Sequence, residues 1–252
     1  MITCRADLHI HTVLSPCGDL DMSPDRIIQR AMEMNLSVIG ITDHNTTRQC
    51  EVIRQMGSEK GILVIGGAEV TTREEVHCLA LFGDGKRLGE FQEILDAALP
   101  DIPNDTRKFG YQVAVDRSNN IIYTEDRLLT SALSLSISEL RKIVKELDGI
   151  FIPAHADRAR FGIIAQLGFI PPDLFPDAIE ISMNTTHESF FLHHPQLRSY
   201  RLISSSDAHI PGDIGKAYTE LTLEHLTFEQ IRIAIGSESP GMALHRMQRN
   251  SA

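Results

Sequence analysis

Short apolar runs alternate with amphipathic segments along most of the chain. The runs Cys4–Leu8, Ser37–Thr42, Ile62–Gly67, Val76–Phe82, Ile150–Pro153, Ala178–Ile181, Arg201–Ser204 and Ala217–Leu223 predict strands. Runs of this kind suit strands buried on both faces, as in a parallel sheet. Between them lie helix boundaries. Ser23-Pro24 predicts an N-cap followed by proline at the first helical position. Asn45 predicts the cap of a helix that stops near Gly57. Ser136-Ile137-Ser138-Glu139 and Thr227-Phe228-Glu229-Gln230 both fit a capping box, and Gly236 marks the end of the last helix.

Strand-then-helix repetition predicts an α/β fold. Seven or eight such units in 252 residues favour a barrel, with a doubly wound open sheet as the alternative. The rhythm breaks between about 84 and 135. There a helix-like piece precedes Gln112–Val115 and Ile121–Tyr123, which flank the turn Asp116-Arg117-Ser118-Asn119-Asn120. This is an inserted helix and hairpin within a single domain spanning 1–252. Lid over a barrel mouth, surface elaboration and dimer contact all remain open for it.

Composition adds exclusions. Hydrophobic residues are 42% and charged residues 23%, which suits a soluble globular chain and no membrane partner. The N-terminus lacks the pattern of a secretory signal, so a cytoplasmic location is expected, with Cys4, Cys17, Cys50 and Cys78 as free thiols. The 24 Lys+Arg against 34 Asp+Glu give a net charge of −10. An acidic body repels phosphate backbones at long range, so duplex nucleic acid is expected to be a poor partner. A small anionic substrate stays open, because bound metal inverts charge locally.

The chain has 11 histidines, and most fall beside strand candidates together with carboxylates. His9 and His11 follow the first strand, Asp43 and His44 the second, Glu69 the third. His77 stands at the start of Val76–Phe82. His155 follows Ile150–Pro153, and Asp207 and His209 follow Arg201–Ser204. In a barrel the C-terminal strand ends converge on one mouth. Residues i and i+2 of an extended strand share a face, so His9 and His11 can reach one ion. Glu69 has two oxygens and can bridge two ions. Mixed nitrogen and oxygen donors suit Zn, Mn or Fe.

The ordered set His9-Ile10-His11, Thr42-Asp43-His44, Glu69, His77, His155 and Asp207-Ala208-His209 resembles the PHP family (polymerase and histidinol phosphatase domain). The resemblance implies a distorted (β/α)7 TIM-like barrel and a metal-dependent phosphoesterase with two or three divalent ions. Carried over motif by motif, it implies that His9, His11, Glu69 and Asp207 hold a first ion and Glu69, His77 and His155 a second. It implies that His44 and His209 hold a third, with Asp43 behind them orienting a ligand. Trinuclear members carry one more histidine shortly after the His-x-His. Here that stretch reads Ser15-Pro16-Cys17-Gly18-Asp19, which leaves Cys17 or Asp19 as a substitute, or a weak third site.

The expected reaction is hydrolysis of a small phosphate monoester, such as a nucleotide or sugar phosphate, by hydroxide that the ions activate. Asp207 and Glu69 are expected to organise the reaction, and His209 to polarise or protonate the leaving group. Arg158 is expected to grip a phosphate oxygen, unless it only pairs with Asp157 or another surface carboxylate; Arg160 is expected to be solvated. The alternatives are a phosphodiesterase or exonuclease on short nucleic acids, a C–N hydrolase, and a non-catalytic metal-binding module. Among the other histidines, His187 is a weaker candidate for the mouth, His193 and His194 for a helix end, and His225 and His245 for the surface. Cys4 and Cys78 are expected to be buried packing.

Overall fold

The structure is a computed structural model and describes residues 1–236. The elements run in chain order as β1 (Ile2–Ile10), α1 (Pro24–Glu33), β2 (Val38–Ile41), α2 (Cys50–Glu59), β3 (Leu63–Thr71), β4 (His77–Phe82) and α3 (Gly85–Ala98). There follow α4 (Thr106–Phe109), β5 (Val113–Val115), β6 (Ile121–Thr124), α5 (Ile137–Glu146), β7 (Ile150–Pro153) and α6 (Ile163–Leu167). The described part ends with β8 (Ile179–Ile181), α7 (His187–His193), β9 (Leu202–Ser204), β10 (Thr219–Leu223) and α8 (Phe228–Ile235). No described helix is long and apolar enough to cross a membrane.

The main sheet has the order β10-β1-β2-β3-β4-β7, and β8 pairs with β9 in parallel. Backbone bonds close the circuit. The Asp177 N–H donates to Phe151 O at 3.0 Å and the Ala156 N–H to Glu180 O at 2.8 Å, which joins β7 to β8. The His11 N–H donates to Ala208 O and the Ala208 N–H to His9 O, which joins the segment after β9 back to β1. The result is the distorted TIM-like barrel expected from the sequence. β10 lies outside the circuit, antiparallel to the first half of β1.

The sheet is not wholly parallel. β4 runs antiparallel to β3 and to β7. This reversal explains why His77 opens its strand while the other candidates close theirs. The start of an antiparallel strand lies at the same rim as the ends of its neighbours.

Two apolar layers hold the barrel. Cys4, Ala6, Leu8, Val38, Ile65, Leu79 and Ile152 pack together with Ile231 and Ile235 of α8. The opposite strand faces carry Ile10, Ile39, Ile41, Phe82 and Phe151, packed against Ile27, Ile53, Phe91 and Val144 of the helices. Full burial of a side chain such as Phe91 or Leu8 contributes about 1.5–3 kcal/mol.

Several local expectations hold. Pro24 sits in the first turn of α1, and Ser136 and Glu139 form a reciprocal capping box on α5. Others do not. Asn45 caps no helix: its amide donates to Leu129 O and Ser131 O and accepts from the Thr71 N–H, and α2 begins at Cys50. α2 ends at Glu59, near the expected stop at Gly57; a Cβ at Gly57 would meet Val64 Cγ2 at 2.3 Å, so it is also the place where α2 lies against β3. Thr227 caps α8, but Gln230 bonds the Glu224 N–H instead of closing a box.

The insertion splits in two. α3 packs on β3 and β4 like an ordinary barrel helix. The β5–β6 hairpin sits across the start of α2, where the Gln49 amide bonds both the N–H and the carbonyl of Val115. None of residues 84–135 lines the cavity over the candidate site.

Candidate metal centre and active site

The first strand shows how the site is positioned. Ala6 and Leu8 face the apolar layer shared with α8. The β1–β2 register then shifts between Asp7 and Ile10. Past that irregularity, both imidazoles of His9 and His11 lie in the rim cluster. A bulge is a common means of re-aiming side chains beside an active site. Asp7 points elsewhere and accepts from the Ser206 and Gly215 N–H groups at 2.9 Å each, pinning the segment that carries Asp207 and His209. Burial pushes Asp7 up to about 6.

Glu69 is the centre of the cluster. Its oxygens lie 3.4 Å from His9 Nε2, 3.4 Å from His11 Nε2, 3.1 Å from His44 Nδ1, 2.8 Å from His77 Nδ1 and 2.9 Å from His155 Nε2. All six side chains are buried. Asp207 Oδ1 is 3.3 Å from both His9 Nε2 and His11 Nε2. The donor atoms fall into three groups: His9, His11, Glu69 and Asp207; His44, Glu69 and His77; and His11, His44 and His209. The structure thus brings His9, His11, His44, Glu69, His77, Asp207 and His209 into these groups; His44 joins Glu69 and His77 where His155 was expected, and His155 Nε2 reaches Glu69 at 2.9 Å from outside the group. His11 completes the third group, where the sequence suggested Cys17 or Asp19. Cys17 is exposed, and Asp19 Oδ1 accepts from the Asp21 N–H.

Electrostatics follow from this packing. Burial alone would raise Glu69, but His77, His9 and His44 outweigh it and hold the carboxyl well below its usual range. Burial would lower His11, yet Asp207 and Glu69 hold it up to about 9. Burial pushes His44 well below the usual imidazole range, with His11, His77 and His209 adding to the effect. Burial, helped by His11, pushes His209 down to about 4.

The site residues also carry backbone strain. His155 and Asp207 have φ of 29° and 50°. Such conformations cost about 1–3 kcal/mol each in non-glycine residues and cluster at functional sites.

Metal ions fit this donor set. Nitrogen and carboxylate donors suit Zn, Mn or Fe(II). Two buried atoms in the groups, His44 Nδ1 and Asp207 Oδ1, lack a hydrogen-bond partner. Buried polar atoms are rarely left so, and an ion would satisfy both.

Two supporting carboxylates flank the donors. Asp43 accepts from the Thr12 N–H, the Thr12 hydroxyl and the Ser15 hydroxyl, and Ser15 Oγ lies 2.9 Å from His11 Nδ1. It therefore orients a donor through Ser15. Glu180 was missed by the sequence reading. Its Oε2 accepts from His9 Nδ1 at 2.9 Å and from the His155 N–H at 3.1 Å. That bond puts the His9 proton on Nδ1 and turns the Nε2 lone pair toward Glu69 and Asp207. The available signal was a lone acid inside the apolar run Ala178–Ile181.

A cavity of about 350 Å³ opens over the cluster, lined by His44, Glu69, His77, His155, Arg158, Arg160, Phe161, Asp207 and His209. Arg158 pairs with Asp207 Oδ2 at 2.5 Å. It does not pair with Asp157, which accepts from the Ser182 N–H, the Ser182 hydroxyl and the Thr185 hydroxyl. Arg160 is exposed, as expected, and also lines the cavity. His187 begins α7 and is not among the lining residues, His193 ends that helix, and His225 is exposed. Cys4 and Cys78 are buried. His245 lies outside the described residues.

A barrel with histidines and carboxylates gathered at one rim defines a metal-dependent hydrolase. The PHP domain profile matches residues 7–156, and the PHP-associated profile matches residues 196–239. The chain belongs to the PHP family of metal-dependent phosphoesterases. It is 27% identical over 260 residues to the uncharacterized protein YqxK of Bacillus subtilis, covering 91% of this chain and 61% of YqxK. It is 35% identical over 79 residues to the 5'-3' exoribonuclease Rnm of Escherichia coli, covering 31% of this chain and 26% of Rnm. The chain thus spans less than two thirds of these relatives.

Among solved structures, the lesion-specific endonuclease Q of Pyrococcus furiosus aligns with a TM-score of 0.71 at 20% identity, over 96% of this chain and 57% of the endonuclease. An endonuclease Q complex with a 27-mer duplex substrate, an abasic lesion at the active site, aligns with a TM-score of 0.69 at 20% identity over 96% of this chain and 58% of the other. This corrects the expectation of a small phosphate ester as partner and of duplex nucleic acid as a poor one. In that complex the endonuclease holds a duplex substrate with its abasic lesion at the active site. Net charge sums the whole surface, whereas a phosphate meets only the groups at the mouth, here Arg158 and Arg160.

Proposed function

We propose that this chain hydrolyses phosphodiester bonds in nucleic acid. The observation that carries the reading is the cavity itself, with a donor cluster for metal at its floor and two arginines and an aromatic ring at its wall. The similarity to endonuclease Q and to Rnm supports a nucleic-acid substrate. In this reading His9, His11, Glu69 and Asp207 hold one divalent ion, and Glu69, His77 and His155 hold a second. His11, His44 and His209 offer a third position. Bound there, the ions lower the pKa of water and neutralise phosphate charge.

The chain's own groups then have defined tasks. Arg158 presents its planar guanidinium to a phosphate oxygen while its bond to Asp207 fixes its position. Glu180 and Asp43 keep the His9 and His11 rings in place. His209 Nδ1 lies 2.9 Å from the Asp207 carbonyl, which can only accept. The proton therefore sits on Nδ1 and the Nε2 lone pair is free, so His209 suits a metal donor or proton acceptor better than a proton donor to the leaving group.

The test is cleavage of end-labelled DNA and RNA oligonucleotides, single-stranded and duplex, with and without an abasic site, by the Mn-supplemented protein. Asp207→Asn should lower the rate by about 10²–10³-fold, the size of losing one preorganised electrostatic group. No shortened strand from any of these substrates would overturn the reading.

A further inference from the structure

The turn after β7 is more elaborate than ligand placement requires. Asp157 anchors it to the segment after β8 through Ser182 and Thr185. Gly162 lets it fold back on itself, since a Cβ there would meet Arg158 O at 2.5 Å and His155 O at 3.0 Å. Phe161 stands just before it at φ 62°, a conformation that is an outlier for a bulky residue. Its carbonyl accepts from the His77 N–H at 2.9 Å.

Core packing does not account for this ring. Phe161 belongs to none of the apolar clusters among the described residues and is 37% exposed. Its ring stacks on the His77 imidazole with centroids 4.3 Å apart and planes 12° apart, and it lines the cavity. Next to it, Arg160 also lines the cavity and forms no ion pair with any described acid, whereas Arg158 is committed to Asp207. A flat aromatic face beside an uncommitted guanidinium matches one nucleotide unit, a base with its phosphate. Base–aromatic stacking tolerates any base, because every base has a π-face.

Resting on the nucleic-acid reading above, we infer that Phe161 and Arg160 form a nucleotide-seating subsite beside the scissile phosphate. A nucleobase stacks on Phe161, and Arg160 takes the adjoining backbone phosphate. Phe161 seats the nucleotide whatever its base and holds no metal.

The experiment uses the metal-loaded full chain and cleavage-resistant phosphorothioate oligonucleotides carrying 2-aminopurine at successive positions. Stacking on Phe161 should change the fluorescence of one position on binding. Phe161→Leu keeps an apolar cover on His77 but removes the aromatic face. It should weaken oligonucleotide binding about tenfold and abolish the fluorescence change, with metal content unaltered. Phe161→Tyr should restore both. Arg160→Gln should keep the fluorescence change and reduce the slope of log affinity against log salt by about 0.7–0.9, the value of one phosphate contact. Phe161→Leu binding like the parent, or losing metal instead of oligonucleotide, would overturn the subsite. A parent protein that neither binds nor cuts any oligonucleotide would overturn the underlying reading as well.

Discussion

At the closed end of the barrel, β1 sends Cys4, Ala6 and Leu8 into an apolar layer sealed by Ile231 and Ile235 of α8. At the open end the same strand sends His9 and His11 into a cluster of buried imidazoles around Glu69. The layer at one end is apolar, and its strands hold no left-handed residue. The other holds left-handed non-glycine residues at His155 and Asp207, orphaned polar atoms and groups whose charge states are pushed both up and down. Burying ions costs several kcal/mol each before pairing recovers part of it. The rim is therefore a net load on folding, carried by the apolar end and justified by chemistry rather than by stability.

That division can be broken first at the closed end. Leu81, paired with Ile150 at the start of β7, is fully buried in the apolar layer. Leu81→Ala should cost about 2–5 kcal/mol, read as a lowered urea midpoint, while the specific activity of the folded fraction stays close to the parent's. A large loss of specific activity at unchanged stability would show that the two ends are not separable.

The open end should respond the other way. Glu180→Ala removes the acceptor for His9 Nδ1 and for the His155 N–H. Metal affinity, measured by competition with a fluorescent chelator, should fall about 10–100-fold, the usual effect of losing a carboxylate behind a metal histidine. The urea midpoint of the metal-free protein should move far less than in Leu81→Ala. Unchanged metal affinity would remove Glu180 from the site.

The smallest and sharpest contrast is pH dependence. Loading metal requires the proton to leave His11, which Asp207 and Glu69 hold up to about 9 against the pull of burial. His9, in the same donor group, is also held well above its ordinary value, against burial, by Glu180, Asp207 and Glu69, so apparent metal affinity should rise at least about tenfold per pH unit below pH 9. For the metal-free protein the sign reverses. A raised imidazole stabilises the fold fully below its ordinary value of about 6.5, and that contribution is lost as pH climbs through about 9. Thermal melts with and without Mn across this window should diverge, and parallel curves would show that His11 is not a proton-coupled donor.

Much of this was legible without coordinates. Alternating apolar runs gave the barrel because strands and helices impose different periods on a chain. The donors were legible because imidazoles and carboxylates beside strand ends have few structural uses there. Even Ser136 and Glu139 could be paired by spacing alone. The hidden parts depend on contacts distant in sequence. Glu180 reads as one acid in an apolar strand until β8 is set beside β7 and His9. Asn45 looks like a helix cap until Leu129, Ser131 and Thr71 surround it.

The same boundary separates what composition and what geometry can say about substrate. Net charge is a property of the chain and argued against a duplex. The mouth is a property of the fold, and it puts Arg158, Arg160 and Phe161 over the donor cluster. The barrel, a rim of imidazoles and carboxylates and the hydrolytic class were readable in the chain, because these follow from local pattern and residue chemistry. Tertiary structure alone decided the reversal of β4 that brings His77 to the rim, the place of His11 in the third donor group and the aromatic and cationic wall. Each of these is set by which strand lies beside which, and that is fixed only when the barrel closes.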